Sequence, residues 1–179
     1  MKSNSVEVLT KRCRLNYVRL AEMESYMDSK PYYSVVLMVP KSDTEGLKVI
    51  NDAIVKAIDQ TDLKINKNSK KFWNPFIDGL DKDDDRFHDY FYIKCKSQFE
   101  VPIVGRDNKI MKKDDPRIYS GCWGRAHITL KVYNKGGEGV SCYLNSLQIL
   151  EDGDILESSR NFNPEEAFPT IPDEYKNLL

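Results

Sequence analysis

The 179-residue chain carries 27 Lys+Arg against 28 Asp+Glu, with 40% hydrophobic and 11% aromatic residues. That is enough apolar material for one buried core, and too much for a chain that is disordered throughout. A formal net charge of −1 argues against a uniformly basic coat for a polyanion, and no apolar run approaches the ~20 residues that span a bilayer.

The opening "MKSNSVEVLTKRCR" has no apolar core of a secretory leader, so a cytoplasmic setting is expected. These first ten residues are polar and are expected to be loose. "KRCRLNYVRL" (11–20) alternates, with Cys13, Leu15 and Tyr17 on one face and Arg12, Arg14 and Asn16 on the other, which predicts a strand. "AEMESYMDSKP" (21–31) reads as a polar connection. "YYSVVLMV" (32–39), between two prolines, predicts a strand buried on both faces. The period then changes. Leu47, Ile50, Ile54, Ala57 and Ile58 form a helical stripe within residues 42–60, and Ser42 with Glu45 reads as a capping box.

"FWNPFIDGLDKDDDRFHD" (72–89) is irregular, with Asn-Pro and Asp-Gly turn signals. Phe76 fits packing; Trp73 fits either packing or a ring that clamps a base. "YFYIKCKS" (90–97) alternates sharply, placing Phe91, Ile93 and Cys95 inward and Tyr90, Tyr92, Lys94 and Lys96 outward. In "YSGCWGRAHITLKVYN" (119–134), Ala126, Ile128, Leu130 and Val132 share one face, while Arg125, His127, Lys131 and Tyr133 share the other, with Trp123 just ahead. "NKGGEG" (134–139) is a hairpin turn. "VSCYLNSLQIL" (140–150) returns as a strand whose parity slips near Asn145 and Ser146, which predicts a bulge. Strands and helix do not alternate, so a parallel sheet is not expected. The natural solution is a mainly β, five-stranded, OB-fold-like antiparallel barrel with one accessory helix at about 42–60.

Charge divides the chain into residues 1–150, with 25 Lys+Arg against 20 Asp+Glu, and residues 151–179, with two against eight. A binding domain of 1–150 and an acidic C-terminal tail of 151–179 follow from that asymmetry. Catalytic patterns are scarce. "DKDDDR" offers Asp81, Asp83, Asp84 and Asp85 as carriers of Mg²⁺ in a nuclease, but a solvated loop is the simpler reading. An EF-hand register fails, because Arg86 stands where the glycine belongs and Tyr92 where the glutamate belongs. There is no G-x-S-x-G elbow and no P-loop. Cys13, Cys95, Cys122 and Cys142 are scattered, and read as buried thiols in a reducing compartment rather than as a zinc site. No cofactor, metal or catalysis is expected.

The outward residues suit another chemistry. Single-stranded nucleic acid needs rings to stack on and cations to follow its phosphates. Arg12 and Arg14, Tyr90 to Lys96, and Trp123 to Tyr133 carry that mixture on one parity of three strands. If the strands are neighbours, they make one continuous surface. Ordinary antiparallel sheets also expose Lys and Tyr, and Trp123 fits a barrel plug as well as a stacking ring. Rings and cations alone leave DNA and RNA open.

"FWNPFIDGLDKDDD", "YFYIKCKS", "PIV", "YSGCWGRAHITLKVYN" and "GVSCYLNSLQILEDGD" together resemble a phage and prophage-encoded family of single-stranded DNA-binding proteins with an OB-fold. The matching stretches span roughly residues 8 to 155. The resemblance implies sequence-tolerant binding of single-stranded DNA in phage replication, recombination or repair, without catalysis. The shared outward parity, taken together with this resemblance, makes Tyr92, Trp123 and Tyr133 the expected stacking rings, with Tyr90 in the same stripe and His127 placed to stack or to bond a base. Arg12, Arg14, Lys94, Lys96, Arg125 and Lys131 are the expected phosphate contacts. The resemblance also implies an acidic tail that contacts phage or host replication and recombination proteins and competes with DNA. This tail departs from that pattern, ending "DEYKNLL" rather than in a dense acidic run. An exposed sheet edge or the helix offers a surface for a homodimer. The alternative is a protein-interaction module with weak DNA affinity.

Overall fold

The computed structural model describes residues 2–156. Nine strands and one helix follow in the order β1 (Ser5–Leu9), β2 (Cys13–Glu24), β3 (Tyr32–Pro40), α1 (Thr44–Gln60), β4 (Phe72–Trp73), β5 (Phe76–Asp78), β6 (Tyr90–Ser97), β7 (Ile103–Val104), β8 (Trp123–Tyr133) and β9 (Glu138–Glu151). Five of them, β8, β2, β3, β6 and β9, pair in a ring that closes on itself. This is the expected OB-fold barrel. Four joints of the ring are antiparallel, and the fifth, β6 with β9, is parallel through one registered pair, Lys96 with Tyr143.

The inward parities build the core. Leu15 of β2, Val35, Leu37 and Val39 of β3, Ile93 and Cys95 of β6, Ala126 to Val132 of β8, and Val140 to Ile149 of β9 meet inside. The helix adds Ile50, Ala53, Ile54 and Ala57 to the same core. Its cap is Asp43, whose carboxylate accepts from Gly46 N at 3.0 Å, one residue later than the Ser42 capping box expected from the sequence.

Three boundaries differ from the sequence reading. The first residues are not loose: β1 pairs with β8 from Ser5 opposite Lys131 to Leu9 opposite His127. β1 and β2 lie along the same edge of β8, and Thr10 spans the break between them. Its N–H donates to Ala126 O at 2.9 Å, and its hydroxyl accepts from Ala126 N at 3.0 Å. β2 also runs past Leu20 into the supposed connection, so that Glu24 pairs with Tyr32. The bulge in β9 falls where the parity slipped, since His127 pairs with Ser146 and Ile128 with Leu144, which leaves Asn145 over.

β3 is buried on both faces because a loop covers its outer side. Residues 79–87 form two short 3₁₀ turns, and the fully buried Phe87 presses on Val36 and Met38. The acidic segment is therefore docked rather than a free loop tip. Asp78 caps the first turn by accepting from Leu80 N, and Asp84 caps the second by accepting from Arg86 N.

Candidate nucleic-acid interface

β6 and β9 touch at Lys96 and Tyr143 and diverge from there. "FWNPFID" fills the gap: Phe72 and Trp73 pair with Glu138 and Gly139 of β9, while Phe76 to Asp78 pair with Ile93 to Phe91 of β6. Asn74 turns the chain between them by accepting from Phe76 N at 3.0 Å. Gly139 makes the first half possible. A Cβ there would lie 2.6 Å from both the Cβ and the carbonyl oxygen of Trp73.

Over this bridge lies a groove of about 660 Å³, lined by Trp73, Pro75, Ile77, Tyr92, Lys94, Lys96, Tyr133 and Val140 to Tyr143. A second hollow of about 340 Å³ shares Lys96 and Tyr143 with it and adds Tyr26, Lys30, Tyr32 and Gln98. Trp73 and Tyr143 are 52% and 44% exposed, so their rings are open to a ligand. Lys94 and Lys96 hold their ammonium groups 5.4 and 4.5 Å from the centre of the Tyr32 ring. Partial burial, and then the charge of Lys94, push the Lys96 ammonium below its ordinary pKa. A phosphate arriving there would return the stabilisation that lost solvent removed. Burial, with Asp81 nearby, raises the Tyr92 phenol, so this ring stays neutral at physiological pH.

The structure brings four sequence-predicted residues together here: Tyr92, Lys94, Lys96 and Tyr133. Lys131 sits beside them on β8, opposite the groove residue Ser141. Arg125 and His127 point outward from the same strand, but Arg125 is about 26 Å along it from Tyr133. The Arg125 guanidinium donates to Gln148 Oε1 at 2.7 Å.

The remaining four predicted residues form a different assembly. From Glu151, the last residue of β9, residues 152–156 lie back across the barrel as a strap. Arg14 donates to Asp154 O at 2.7 Å and to the Tyr90 hydroxyl at 3.4 Å. Arg12 pairs with Glu151 and stacks 3.7 Å from the centre of the Trp123 ring. The Tyr119 hydroxyl donates to Gly153 O at 2.8 Å and accepts from Gly153 N at 3.0 Å, and Leu156 N donates to Ser120 O. Gly121, at φ +119°, leaves room for the strap, since a Cβ there would lie 2.1 Å from Asp154 O. β2 and β8 are neighbours, whereas β3 lies between β6 and β2 and β9 between β6 and β8, so the stripes meet only where Arg14 reaches Tyr90 and where the groove joins β6 to Tyr133. The part of the acidic tail within the described residues is the strap; residues 157–179 lie outside them.

Among the described residues no three His, Cys, Asp or Glu side chains gather as a metal site. Asp84 bonds the Arg86 guanidinium, which holds its carboxyl below the usual range. All four thiols are free and buried, and burial pushes Cys13 up to about 12. Cys95 and Cys142 face each other across the β6–β9 joint with sulfurs 3.0 Å apart. No described helix is long and apolar enough to cross a membrane.

Sequence reasoning missed Tyr26, Tyr32 and Tyr143 and left Trp73 undecided. Tyr143 was readable, because it lies on the parity opposite Cys142 and Leu144. Tyr26 was not, because it fell in the supposed polar connection, and Tyr32 opened the strand expected at 32–39 to be buried on both faces, which gave no sign that its ring meets Lys94 and Lys96.

A family profile described as the single-stranded DNA-binding protein of Enterobacter phage Enc34 matches residues 6–178. The protein p50 of Acyrthosiphon pisum secondary endosymbiont phage 1 is 27% identical over 160 residues, covering 81% of this chain and 86% of that one. The solved Enc34 protein superposes with a TM-score of 0.66 at 21% identity, covering 90% of each chain. Its complex with single-stranded DNA gives 0.67 at 20% identity, covering 84% of this chain and 89% of that one. Gp2.5, the single-stranded DNA-binding protein of bacteriophage T7, gives 0.57 at 17% identity, covering 87% and 91%.

Proposed function

The chain belongs to the family of the Enc34 phage single-stranded DNA-binding protein, and from that premise we propose that it binds single-stranded DNA without reading its sequence. The groove over the β6–β9 joint is the site. Trp73, Tyr92, Tyr133 and Tyr143 stack on bases, and Lys94, Lys96 and Lys131 contact phosphates. Every base has a face to stack, so rings give affinity without sequence preference. The observation that carries the reading is the groove itself, where exposed rings and lysines meet on one open surface. The protein acts where phage DNA is single-stranded, in replication, recombination or repair, as a binding protein rather than an enzyme.

Fluorescence anisotropy with labelled oligo-dT across a salt series tests this. Affinity should fall linearly with salt on logarithmic axes, since phosphate contacts release counterions. Absent or salt-indifferent binding would overturn it. Competition by oligo-dT against oligo-rU decides the preferred sugar.

The charge of residues 151–179 supports a second role, as a contact for replication or recombination proteins that also competes for the groove. Deleting 157–179 should then raise DNA affinity and abolish partner capture. Unchanged affinity removes the competition.

A further inference from the structure

An acidic side chain stands at the basic groove. Glu24, at the end of β2, pairs across the sheet with Tyr32. Its carboxylate accepts from the Ser34 hydroxyl at 2.6 Å and lies 3.3 Å from the Lys94 ammonium. Lys94 and Lys96 share the Tyr32 ring below them. The four side chains therefore form one cluster, in which Tyr32 gathers two cations and Glu24 neutralises one. Arg19 also contributes to the field at Glu24.

We propose that Glu24 is a built-in stand-in for a phosphodiester: it occupies and positions Lys94 in the free protein and yields it to a phosphate when DNA enters the groove. This rests on the groove being the DNA site. Geometry and magnitude both favour a displaceable pair. The carboxylate is fixed by Ser34, so it does not swing away, and it presents an anionic oxygen to the ammonium as a phosphate would. Both side chains are partly open to solvent, 44% for Lys94 and 32% for Glu24, and pairs so exposed are weak. Burial would raise the Glu24 carboxyl, but Ser34 and Lys94 outweigh it and hold it below its ordinary value. The carboxylate is thus charged at physiological pH and competes with the ligand. In the free protein Lys94 is masked, whereas no ion pair holds Lys96 among the described residues. The two lysines should therefore differ in what they contribute to binding, although they stand two residues apart on one strand.

The test is oligo-dT anisotropy across a salt series for the wild type, Glu24→Gln, Lys94→Ala and the double variant. The side-chain amide introduced by Glu24→Gln retains an acceptor for Ser34. This change should tighten binding at low salt about two- to fivefold, the value of one exposed ion pair. It should also steepen the salt slope by up to about 0.7, because the phosphate contact of Lys94 is no longer offset by a cation taken up at the released carboxylate. In the Lys94→Ala background the same change should do nothing. Ser34→Ala, which frees the carboxylate without removing it, should move affinity in the same direction by less. Thermal melts check that each variant is folded. An unchanged or weaker affinity for Glu24→Gln overturns the proposal, as does an equal gain with and without Lys94. If the wild type itself fails to bind, the functional reading falls with it. If the wild type binds and only the Glu24 effect is missing, the functional reading stands alone.

Discussion

The groove and the strap use the same residue types on the same strand parity, and they differ in where the cations find their partners. In the groove, Lys96 meets the Tyr32 ring and, among the described residues, no carboxylate, while Trp73 and Tyr143 stand open. At the strap, Arg14 is bonded to a backbone carbonyl and a phenol, Arg12 to a carboxylate, and the Trp123 ring is covered by a guanidinium. An arginine that already donates to its own chain must give up those bonds before it meets a phosphate. Outward parity therefore does not by itself leave a cation without a partner in its own chain.

The sharpest way to break this contrast is to remove one ring from each region. Trp73→Ala should weaken oligo-dT binding by roughly 1–3 kcal/mol, or about 5- to 150-fold, with little change in melting temperature. Trp123→Ala should leave affinity within about twofold and lower the melting temperature. Equal losses of affinity would merge the two regions into one site. Next in size, Gly121→Ala places a Cβ against the strap at positive φ, which should destabilise the protein by roughly 1–3 kcal/mol in denaturant melts. It should spare DNA affinity. For single charges, Lys96→Ala should reduce the salt slope by about 0.7, whereas Arg14→Ala should leave it unchanged.

The smallest effect concerns the loop behind the groove residue Tyr92, whose buried Phe87 packs against that ring with centres 5.0 Å apart. Hydrogen bonds from Arg86 hold the Asp84 carboxyl below its unfolded value. Its contribution is present above about pH 3.9 and is lost as pH falls through the folded value. Asp84→Asn should therefore flatten the acid limb of stability and leave neutral-pH DNA affinity unchanged.

The barrel and its parities were legible in the sequence because alternation is a local property. Ile93 and Cys95 inward, Tyr92 and Lys94 outward, and the bulge at Asn145 all follow from period two. The groove was only half legible. Its far wall comes from Trp73 and Tyr143, which line the same groove because β4 and β6 both lie parallel to β9, and no local pattern encodes a parallel pairing. The strap was not legible. The residues of "EDGD" read as part of a charged tail, and only the fold shows that their backbone carbonyls satisfy Arg14 and Tyr119. The covering of β3 by Phe87 lay between these cases. The sequence announced that both faces were buried without saying by what.

The joint between β6 and β9 has one registered pair and is otherwise spanned by the 72–78 bridge. Mechanically, the protein is a curled sheet latched by its own loop, and its lips are the walls of the groove. A nucleotide strand lying there would touch Tyr92 and Lys96 on one lip and Tyr143 on the other. It would act as a suture, so that the ligand fastens the fold at its most lightly tied edge. Hydrogen exchange along β9 should slow more on binding than exchange in β2 or β3, although those strands form most of the cylinder.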